Sequence, residues 1–245
     1  TTTGLDYRAR YCLVECVKAE KLLFKSYTQL HTTMNGAEYI AEFLRQRGTD
    51  KVFLITGGAC AFMVDAVARN DGLSYFCFHH EQAAAMAADS LWRLDKTVGV
   101  TMATSGPGAT NLITGIACSF FDSIPTIHLT GQVNQSEGKS YAEAKVRQKG
   151  FQETNIVDMV KPITKYAVKV TSGKALKEEL TKAYNIAISG RMGPVLIDVP
   201  MDVQQEEVGD TIDHKEVIVT HIQSVEKRRI LQTLKKFFVG AKRPV

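Results

Sequence analysis

One carboxylate, Glu81, stands in a setting that suits chemistry. It follows a short apolar segment and precedes Gln82 and a run of mostly alanine residues. We expect a carboxylate there to face an apolar surface with little water, where burial raises a carboxyl pKa and strengthens its hydrogen bonds. The alternative is that Glu81 only occupies the first turn of a helix, where an acidic residue interacts favourably with the helix dipole.

Two glycine-rich turns also separate apolar segments from predicted helices. Ser105-Gly106-Pro107-Gly108 resembles an anion cradle at a helix N-terminus, although it lacks the residues of a phosphate loop and the spacing of a dinucleotide fingerprint. A tight turn that lets a strand meet a helix explains this loop equally well, and it also explains Gly57-Gly58. Ser105 has no base at motif spacing, which argues against a nucleophilic hydrolase.

The sequence contains no convincing metal site. Cys12 and Cys16 lie four residues apart, but no second pair or histidine cluster completes a zinc site. The histidines at 79, 80 and 128 also lack ligand spacing. We therefore expect no metal ligands in this chain.

Composition excludes several classes of partner. The chain is 44% hydrophobic and 23% charged, as soluble globular proteins are, and its net charge is +4. No basic run interleaved with aromatics indicates nucleic-acid binding, and no apolar stretch is long enough to span a membrane. Five scattered cysteines, an odd number, fit reduced thiols in a cytoplasmic protein.

The elements that must position these residues alternate between strand and helix periods from Met34 onward. This alternation predicts an α/β fold, a doubly wound and mostly parallel six-stranded sheet with helices on both faces. Ligands of such sheets bind beyond the carboxyl ends of the strands, where the unusual loops fall. The predicted strands are 52–55, 73–78, 97–103, 125–130, 163–170 and 195–199. The predicted helices are 36–47, with Asn35 as its N-cap, 60–69, 81–94, 109–121 and 172–189.

Changes in pattern divide the chain into four parts. Residues 1–33 differ in character from the rest of the chain and form an extension, and 34–205 form the main domain. Residues 206–223 are polar and are expected to be a linker. Ser224 caps a basic amphipathic helix. The residues after it, Ala241-Lys242-Arg243-Pro244-Val245, are typical of a turn that enters another strand, so we expect 224–245 to be the start of a second, truncated domain.

Seven short motifs, in order and at similar spacing, resemble the acetolactate synthase large subunits and related thiamine-diphosphate enzymes. The resemblance covers about 34–205 and implies the fold of their N-terminal, pyrimidine-binding domain. The motifs are His80-Glu81-Gln82-Ala83-Ala84-Ala85, Thr104-Ser105-Gly106-Pro107-Gly108-Ala109-Thr110-Asn111-Leu112, Asp122-Ser123-Ile124-Pro125, Thr130-Gly131-Gln132-Val133, Phe151-Gln152-Glu153, Pro162-Ile163-Thr164-Lys165 and Gly193-Pro194-Val195-Leu196-Ile197-Asp198-Val199-Pro200.

The resemblance implies that Glu81 is the catalytic carboxylate. It would hydrogen-bond N1′ of the cofactor's aminopyrimidine, so that the ring's exocyclic nitrogen can act as a base on the thiazolium C2 proton. The implied reaction joins two pyruvate molecules into acetolactate with loss of carbon dioxide, a step of branched-chain amino acid biosynthesis. Further implied cofactor-binding residues are Gly58, Pro107, Gly108 and Asn111, and implied substrate-channel residues are Phe120, Gln132 and Lys165.

The resemblance also implies partners. Thiamine diphosphate would bridge this domain and the diphosphate-binding domain of a partner subunit, in a homodimer or a larger homo-oligomer. Mg²⁺ would be held by a C-terminal domain that this chain does not include, and FAD is left open for the complete protein. The small-molecule substrate would be a 2-keto acid.

Some features depart from the family pattern. Ile55-Thr56 stands where the family usually has Tyr-Pro, Met86 where it often has His, and the polar segment 134–150 is longer than the usual link. Two alternatives therefore stay open: a related enzyme acting on another 2-keto acid or carbon–carbon bond, and a non-catalytic pyrimidine-domain subunit. A nucleotide-binding sheet unrelated to thiamine is disfavoured by the missing fingerprints.

Overall fold

The computed structural model describes residues 33–138, 147–209 and 224–240. The predicted extension, apart from its last residue, lies outside this part of the chain. The middle of the 134–150 segment, most of the predicted linker and the last five residues also lie outside it.

The described residues form eight strands and nine α-helices. The strands are β1 (Met34–Asn35), β2 (Lys51–Leu54), β3 (Ser74–Cys77), β4 (Gly99–Ala103), β5 (Thr126–Gln132), β6 (Tyr166–Lys169), β7 (Val195–Pro200) and β8 (Glu207–Gly209). The helices are α1 (Gly36–Gln46), α2 (Ala61–Arg69), α3 (Glu81–Asp95), α4 (Pro107–Asn111), α5 (Ile113–Asp122), α6 (Ile156–Val160), α7 (Gly173–Ile188), α8 (Met201–Gln205) and α9 (Ser224–Gly240).

Six strands form the central sheet, in the order β3-β2-β4-β5-β7-β6. Every neighbouring pair runs parallel, which confirms the predicted fold class. The inner strands β4, β5 and β7 are buried at every position, because helices cover both of their faces. The edge strand β3 is exposed along its whole length.

Two hydrophobic layers lie on the two faces of the sheet. On one face α1, α2, α7 and α8 pack on alternate strand residues such as Leu54 and Ile197. On the other face α3, α4, α5 and α6 pack on the intervening residues, such as Phe53 and Leu196. The period-two alternation of strand side chains thus supplies both layers from the same strands.

Local capping explains where two of the helices begin. Asn35, the predicted N-cap of α1, accepts a hydrogen bond from the backbone of Glu38 at 2.9 Å, and the Glu38 carboxylate accepts one from the Asn35 backbone at 3.0 Å. This reciprocal pair satisfies two backbone donors at the helix start. His80 caps α3, its Nδ1 accepting from the Gln82 backbone at 3.2 Å.

The structure differs from the predicted elements in several places, among them the short helices α6 and α8, which were not predicted. The helix predicted over 109–121 is divided into α4 and α5 at Leu112, and it begins earlier, at Pro107, whose fixed φ suits the first helical position. The antiparallel pair β1–β8 was not predicted, because two and three residues are too few for a periodic pattern. Through β8 and Glu206, whose carbonyl accepts from Gly36 at 2.9 Å, the first residues of the predicted linker lie against the domain.

Among the described helices, none combines the length and the apolar character that crossing a bilayer requires.

Candidate active site

The site lies at the carboxyl ends of β2 and β4, where the order of the strands reverses. From β2 the chain passes outward to β3 and then returns to the other side of β2 to form β4. Loops that leave neighbouring strands in opposite directions open a crevice between them, and this is where α/β sheets bind ligands. Both glycine-rich turns of the sequence end at this crevice.

Close approach of the two turns explains Gly57. A Cβ on this residue would lie 2.5 Å from the Cβ of Thr104. The Thr104 hydroxyl accepts a hydrogen bond from the Ala59 backbone at 3.2 Å, which ties the turn after β2 to the end of β4. Gly58 differs, since no atom lies within 4 Å of where its Cβ would be, so its bare backbone adjoins open space.

Glu81 lies at the start of α3 and is 8% exposed. Its Oε2 accepts a hydrogen bond from Asn111 Nδ2 at 2.9 Å, across 30 residues of sequence. His80 supplies the helix cap, so the Glu81 side chain is engaged by another element rather than by its own first turn. The structure therefore gives Glu81 a tertiary role beyond the helix-dipole interaction.

A glycine leaves room beside this carboxylate. A Cβ on Gly108 would lie 3.4 Å from Glu81 Oε1 and 2.8 Å from Thr104 Cγ2. The missing side chain keeps one carboxylate oxygen approachable while Asn111 binds the other. Four of the predicted residues, Gly58, Glu81, Gly108 and Asn111, thus belong to the loops and helix starts around one crevice.

The buried thiol of Cys60 lies near the same carboxylate. Burial, with a smaller contribution from the charge of Glu81, raises the pKa of the Cys60 thiol to about 11. The Sγ atom lies 3.4 Å from the Gly57 carbonyl oxygen. At neutral pH the group is a neutral thiol, which adds no negative charge beside Glu81.

The turn before Pro107 requires a glycine. Gly106 has φ +61°, in the region that favours glycine, and a Cβ there would lie 2.7 Å from the carbonyl oxygen of Gln152. This contact favours the tight-turn explanation of the loop. Pro107 follows as the first residue of α4, beside the crevice.

Residues 150–154 reach this region from a distant part of the sequence, and no site role was predicted for them. Gln152 packs its backbone on Gly106 and has φ +55°, while the neighbouring Phe151 is 83% exposed. The sequence analysis also predicted no site role for Thr104. Thr104, Phe151 and Gln152 all occur in the motifs that resemble the family, and this was the only signal that the sequence offered for them. The local sequence pattern does not predict that they lie near the crevice.

Gln132 is buried at the carboxyl end of β5, with 2% exposure. Its Nε2 donates to the Thr154 carbonyl at 3.0 Å and to Asp198 Oδ2 at 3.2 Å, and its Oε1 accepts from the Val133 backbone at 3.1 Å. These bonds use both ends of the amide. Gln132 and Asp198 line a cavity of about 230 Å³ next to the crevice.

Asp198, which Gln132 and Thr130 hydrogen-bond, is almost completely buried, with 2% exposure. Burial raises its pKa to about 6, against hydrogen bonds donated by Thr130 at 2.7 Å and by Gln132, which act in the opposite direction. Near neutral pH a buried carboxyl group with this pKa can carry a proton.

Phe120 and Lys165 lie near the amino ends of the sheet strands, on the opposite side of the sheet from the crevice. Each precedes a strand, and parallel strands place their amino ends opposite the crevice. Lys165 Nζ donates to the carbonyls of Ser189, at 2.6 Å, and Ile186, and burial lowers its pKa. Phe120 lies in the last turn of α5 with its ring 6.0 Å from that of Phe121. Within this chain, neither side chain reaches Glu81.

The central histidine has a structural environment. His128 is fully buried on β5, with its two ring nitrogens 2.7 Å from the Thr101 hydroxyl and 2.9 Å from the Thr126 hydroxyl. Burial lowers its pKa to about 3, so the ring is neutral at physiological pH. Both nitrogens are occupied, which fits a core residue and not a ligand.

Similarities to known proteins agree with this geometry. The family model for the thiamine pyrophosphate enzyme N-terminal TPP binding domain matches residues 34–159, just over half of the chain. The chain is 38% identical over 214 residues to acetolactate synthase isozyme 2 large subunit of Escherichia coli, covering 84% of the chain and 37% of that protein.

Two further relatives show the same partial coverage. Acetolactate synthase large subunit of Lactococcus lactis is 34% identical over 220 residues, 89% of the chain and 36% of that protein. Acetolactate synthase 1, chloroplastic, of rice is 33% identical over 213 residues, 86% of the chain and 32% of that protein. The chain spans about a third of the length of these relatives. Because the family model matches just over half of the chain and the relatives are at least 33% identical over more than four fifths of it, the chain belongs to the thiamine pyrophosphate enzyme family and contains the N-terminal TPP binding domain.

Proposed function

We propose that this chain supplies the aminopyrimidine side of a thiamine diphosphate site, with Glu81 as the catalytic carboxylate. The observation that carries the proposal is the buried Glu81, held by Asn111 at 2.9 Å in the switch-point crevice. Gly58 and Gly108 would bring bare backbone against the ring, because a flat heterocycle needs close walls, and Pro107 would line the crevice beside Gly108.

The donor set fits an aminopyrimidine. Such a ring offers nitrogen acceptors and an amino donor, and when it is bound thiamine diphosphate supplies an activated carbon that adds to a keto group. Through the oxygen that Asn111 leaves available, Glu81 would accept a charge-assisted hydrogen bond from a ring nitrogen that has taken up a proton. Glu81 is only 8% exposed, and such limited contact with solvent strengthens a hydrogen bond to its carboxylate.

For the complete protein we propose a 2-keto acid decarboxylase and carboligase that converts two pyruvate molecules to acetolactate and carbon dioxide. The three relatives described above are all named acetolactate synthases, which supports this choice. The substrate channel would include Gln132 through the network that it forms with Asp198. Phe120 and Lys165 remain predicted channel residues, to be completed by parts outside this chain.

We further propose that the diphosphate and Mg²⁺ are bound by a C-terminal domain of a partner subunit, with FAD an optional component of the complete protein. The crevice supplies hydrogen-bonding groups for a ring and no cluster of acidic ligands among the described residues. A homodimer or larger homo-oligomer would complete the site. The described cysteines are free, in keeping with a cytoplasmic location.

The experiment that tests the proposal is Glu81→Gln in the complete protein. We expect proton exchange at C2 of bound thiamine diphosphate, measured by quenched-flow NMR, to slow by roughly a hundredfold or more, because a carboxylate that assists proton transfer contributes about 10²–10⁴ in rate. Acetolactate formation should fall in parallel, while the thermal unfolding temperature stays the same.

The matched control is Glu178→Gln, which neutralises an exposed glutamate of α7 on the other face of the sheet. Its C2 exchange should equal that of the unaltered protein. Wild-type exchange in the Glu81 variant would remove the central assignment.

A second candidate is a related enzyme acting on a different 2-keto acid or carbon–carbon bond. The polar segment 134–150, which adjoins the cavity at Gln132 through Gly138, favours it. Turnover of another keto acid without acetolactate from pyruvate would support this candidate and leave the role of Glu81 unchanged.

A further inference from the structure

A separate cavity of about 340 Å³ lies at the amino-terminal edge of the sheet, opposite Glu81. Its walls come from the C-terminal ends of α1, α3 and α7 and from the residues that lead into β4 and β7. The volume is within the range of small-molecule sites. No residue of this cavity takes part in the proposed cofactor site.

Two cations line the cavity, and aromatic rings hold both of them. The guanidinium carbon of Arg47 lies 5.1 Å from the centroid of the Phe43 ring and 5.4 Å from that of Tyr184. The Lys96 Nζ lies 5.7 Å from the centroid of the Trp92 ring. A cation over a ring face is attracted by the ring quadrupole without using a hydrogen-bond acceptor. These contacts therefore restrict the side chains and leave donors available for a ligand.

Neither cation has an acidic partner within the part of the chain that the structure describes. The neighbouring acids are engaged elsewhere: Asp50 pairs with Lys51 at 2.5 Å, and Asp95 accepts from the Thr97 backbone at 2.9 Å. A cation at a helix C-terminus also interacts favourably with the helix dipole. The helix dipole explains why each helix end carries one cation. It does not explain why Arg47 and Lys96 line the same cavity.

Apart from Thr97, the remaining walls of the cavity are mostly apolar. Ile188 and Met192 contribute aliphatic surface, and Trp92 and Tyr184 contribute ring faces. A ligand that matches both parts needs one anionic group and a compact apolar body. We propose that this cavity is a binding site for a small organic carboxylate, whose oxygens accept hydrogen bonds from Arg47 and Lys96 while its hydrocarbon part packs on the apolar wall.

The test uses the full chain and two probes of the same shape, phenylacetate and its uncharged analogue phenylacetamide, titrated by saturation-transfer NMR. We expect phenylacetate to bind at least about tenfold more tightly, since one hydrogen bond to a charged group is worth about that factor. The double variant Arg47→Gln/Lys96→Asn should lose at least about tenfold in phenylacetate affinity. Asn is chosen because Lys96 has φ 67°, a conformation that Asn tolerates.

Arg45→Gln is the matched control. This arginine lies two residues from Arg47, but it pairs with Glu42 at 2.5 Å and does not line the cavity, so its loss should leave phenylacetate affinity unchanged. Equal affinity for the two probes, no binding of phenylacetate, or displacement by excess thiamine diphosphate would each overturn the proposal. The probe pair tests the charge on the unaltered protein, so the proposal remains testable if the double variant does not fold.

Discussion

At the scale of single residues, the hydrogen bond between Asn111 and Glu81 joins two helix starts that are distant in sequence. Asn111→Ala would leave one oxygen of a buried carboxylate without its donor, and a hydrogen bond to a charged group contributes about 1.5–3 kcal/mol. We expect the complete protein to lose at least about tenfold in thiamine diphosphate affinity, measured by cofactor titration of the apo protein. Thr110→Ala, which removes only a hydroxyl bonded to the Pro107 carbonyl, should leave this affinity unchanged.

Asp198 should make stability depend on pH. Its pKa is raised to about 6 in the folded chain from the ordinary value of 3.8, so between about pH 4 and 6 the folded state binds a proton that the unfolded state has lost. Stability from this group is therefore greatest below pH 4 and falls as the pH rises to 6, by about 3 kcal/mol.

Urea unfolding of the chain at several pH values measures this effect. The free energy of unfolding of Asp198→Asn relative to the unaltered chain should change across pH 4–6 and become constant above it. A pH-independent difference for Asp198→Asn would show that the carboxyl group does not titrate in this window.

At the scale of elements, the turn after β2 contains two glycines with different roles. Gly57 packs closely on Thr104, whereas Gly58 faces the open crevice. Gly57→Ala places a methyl group 2.5 Å from the Thr104 Cβ, so the ends of β2 and β4 must separate. We expect the free energy of unfolding to fall by about 1–3 kcal/mol, the range for overpacking. Gly58→Ala meets no atom within 4 Å and should leave stability nearly unchanged while weakening thiamine diphosphate binding. Equal stability losses in urea unfolding would contradict this division.

At the scale of the whole molecule, the edge strand β3 and the helix α3 both expose large apolar groups. Tyr75 and Phe76 on β3 are 48% and 45% exposed, and Met86 and Leu94 on α3 are 39% and 81% exposed. Contiguous exposed apolar surface marks interaction sites. Because α3 also carries Glu81, a partner docked on the exposed residues of α3 would lie beside the crevice, as the proposed shared site requires.

A charge in this surface should weaken self-association. We expect Met86→Lys to raise the dimer dissociation constant of the complete protein by at least about tenfold, since a desolvated unpaired charge costs more than about 1.4 kcal/mol. Sedimentation velocity over a dilution series measures it. Glu178→Lys, a charge change on the opposite face, is the control and should not alter association.

Local sequence was sufficient for the order and type of the main elements. The apolar period of the strands, the N-cap at Asn35 and the alternation with helices predicted six parallel strands whose unusual loops gather at one edge. It was insufficient for β1–β8 and for the break at Leu112, where the segments are too short for periodicity to show.

The amino-acid sequence by itself determined the fold class and the presence of a carboxylate at the start of an alanine-rich helix. Only the tertiary structure decided that Asn111 binds Glu81, that Gln152 packs on Gly106, and that Lys165 lies at the far edge. The physical reason is that periodicity acts over a few residues. The distance between residues far apart in the chain depends on the strand order, which is set by the packing of the whole sheet.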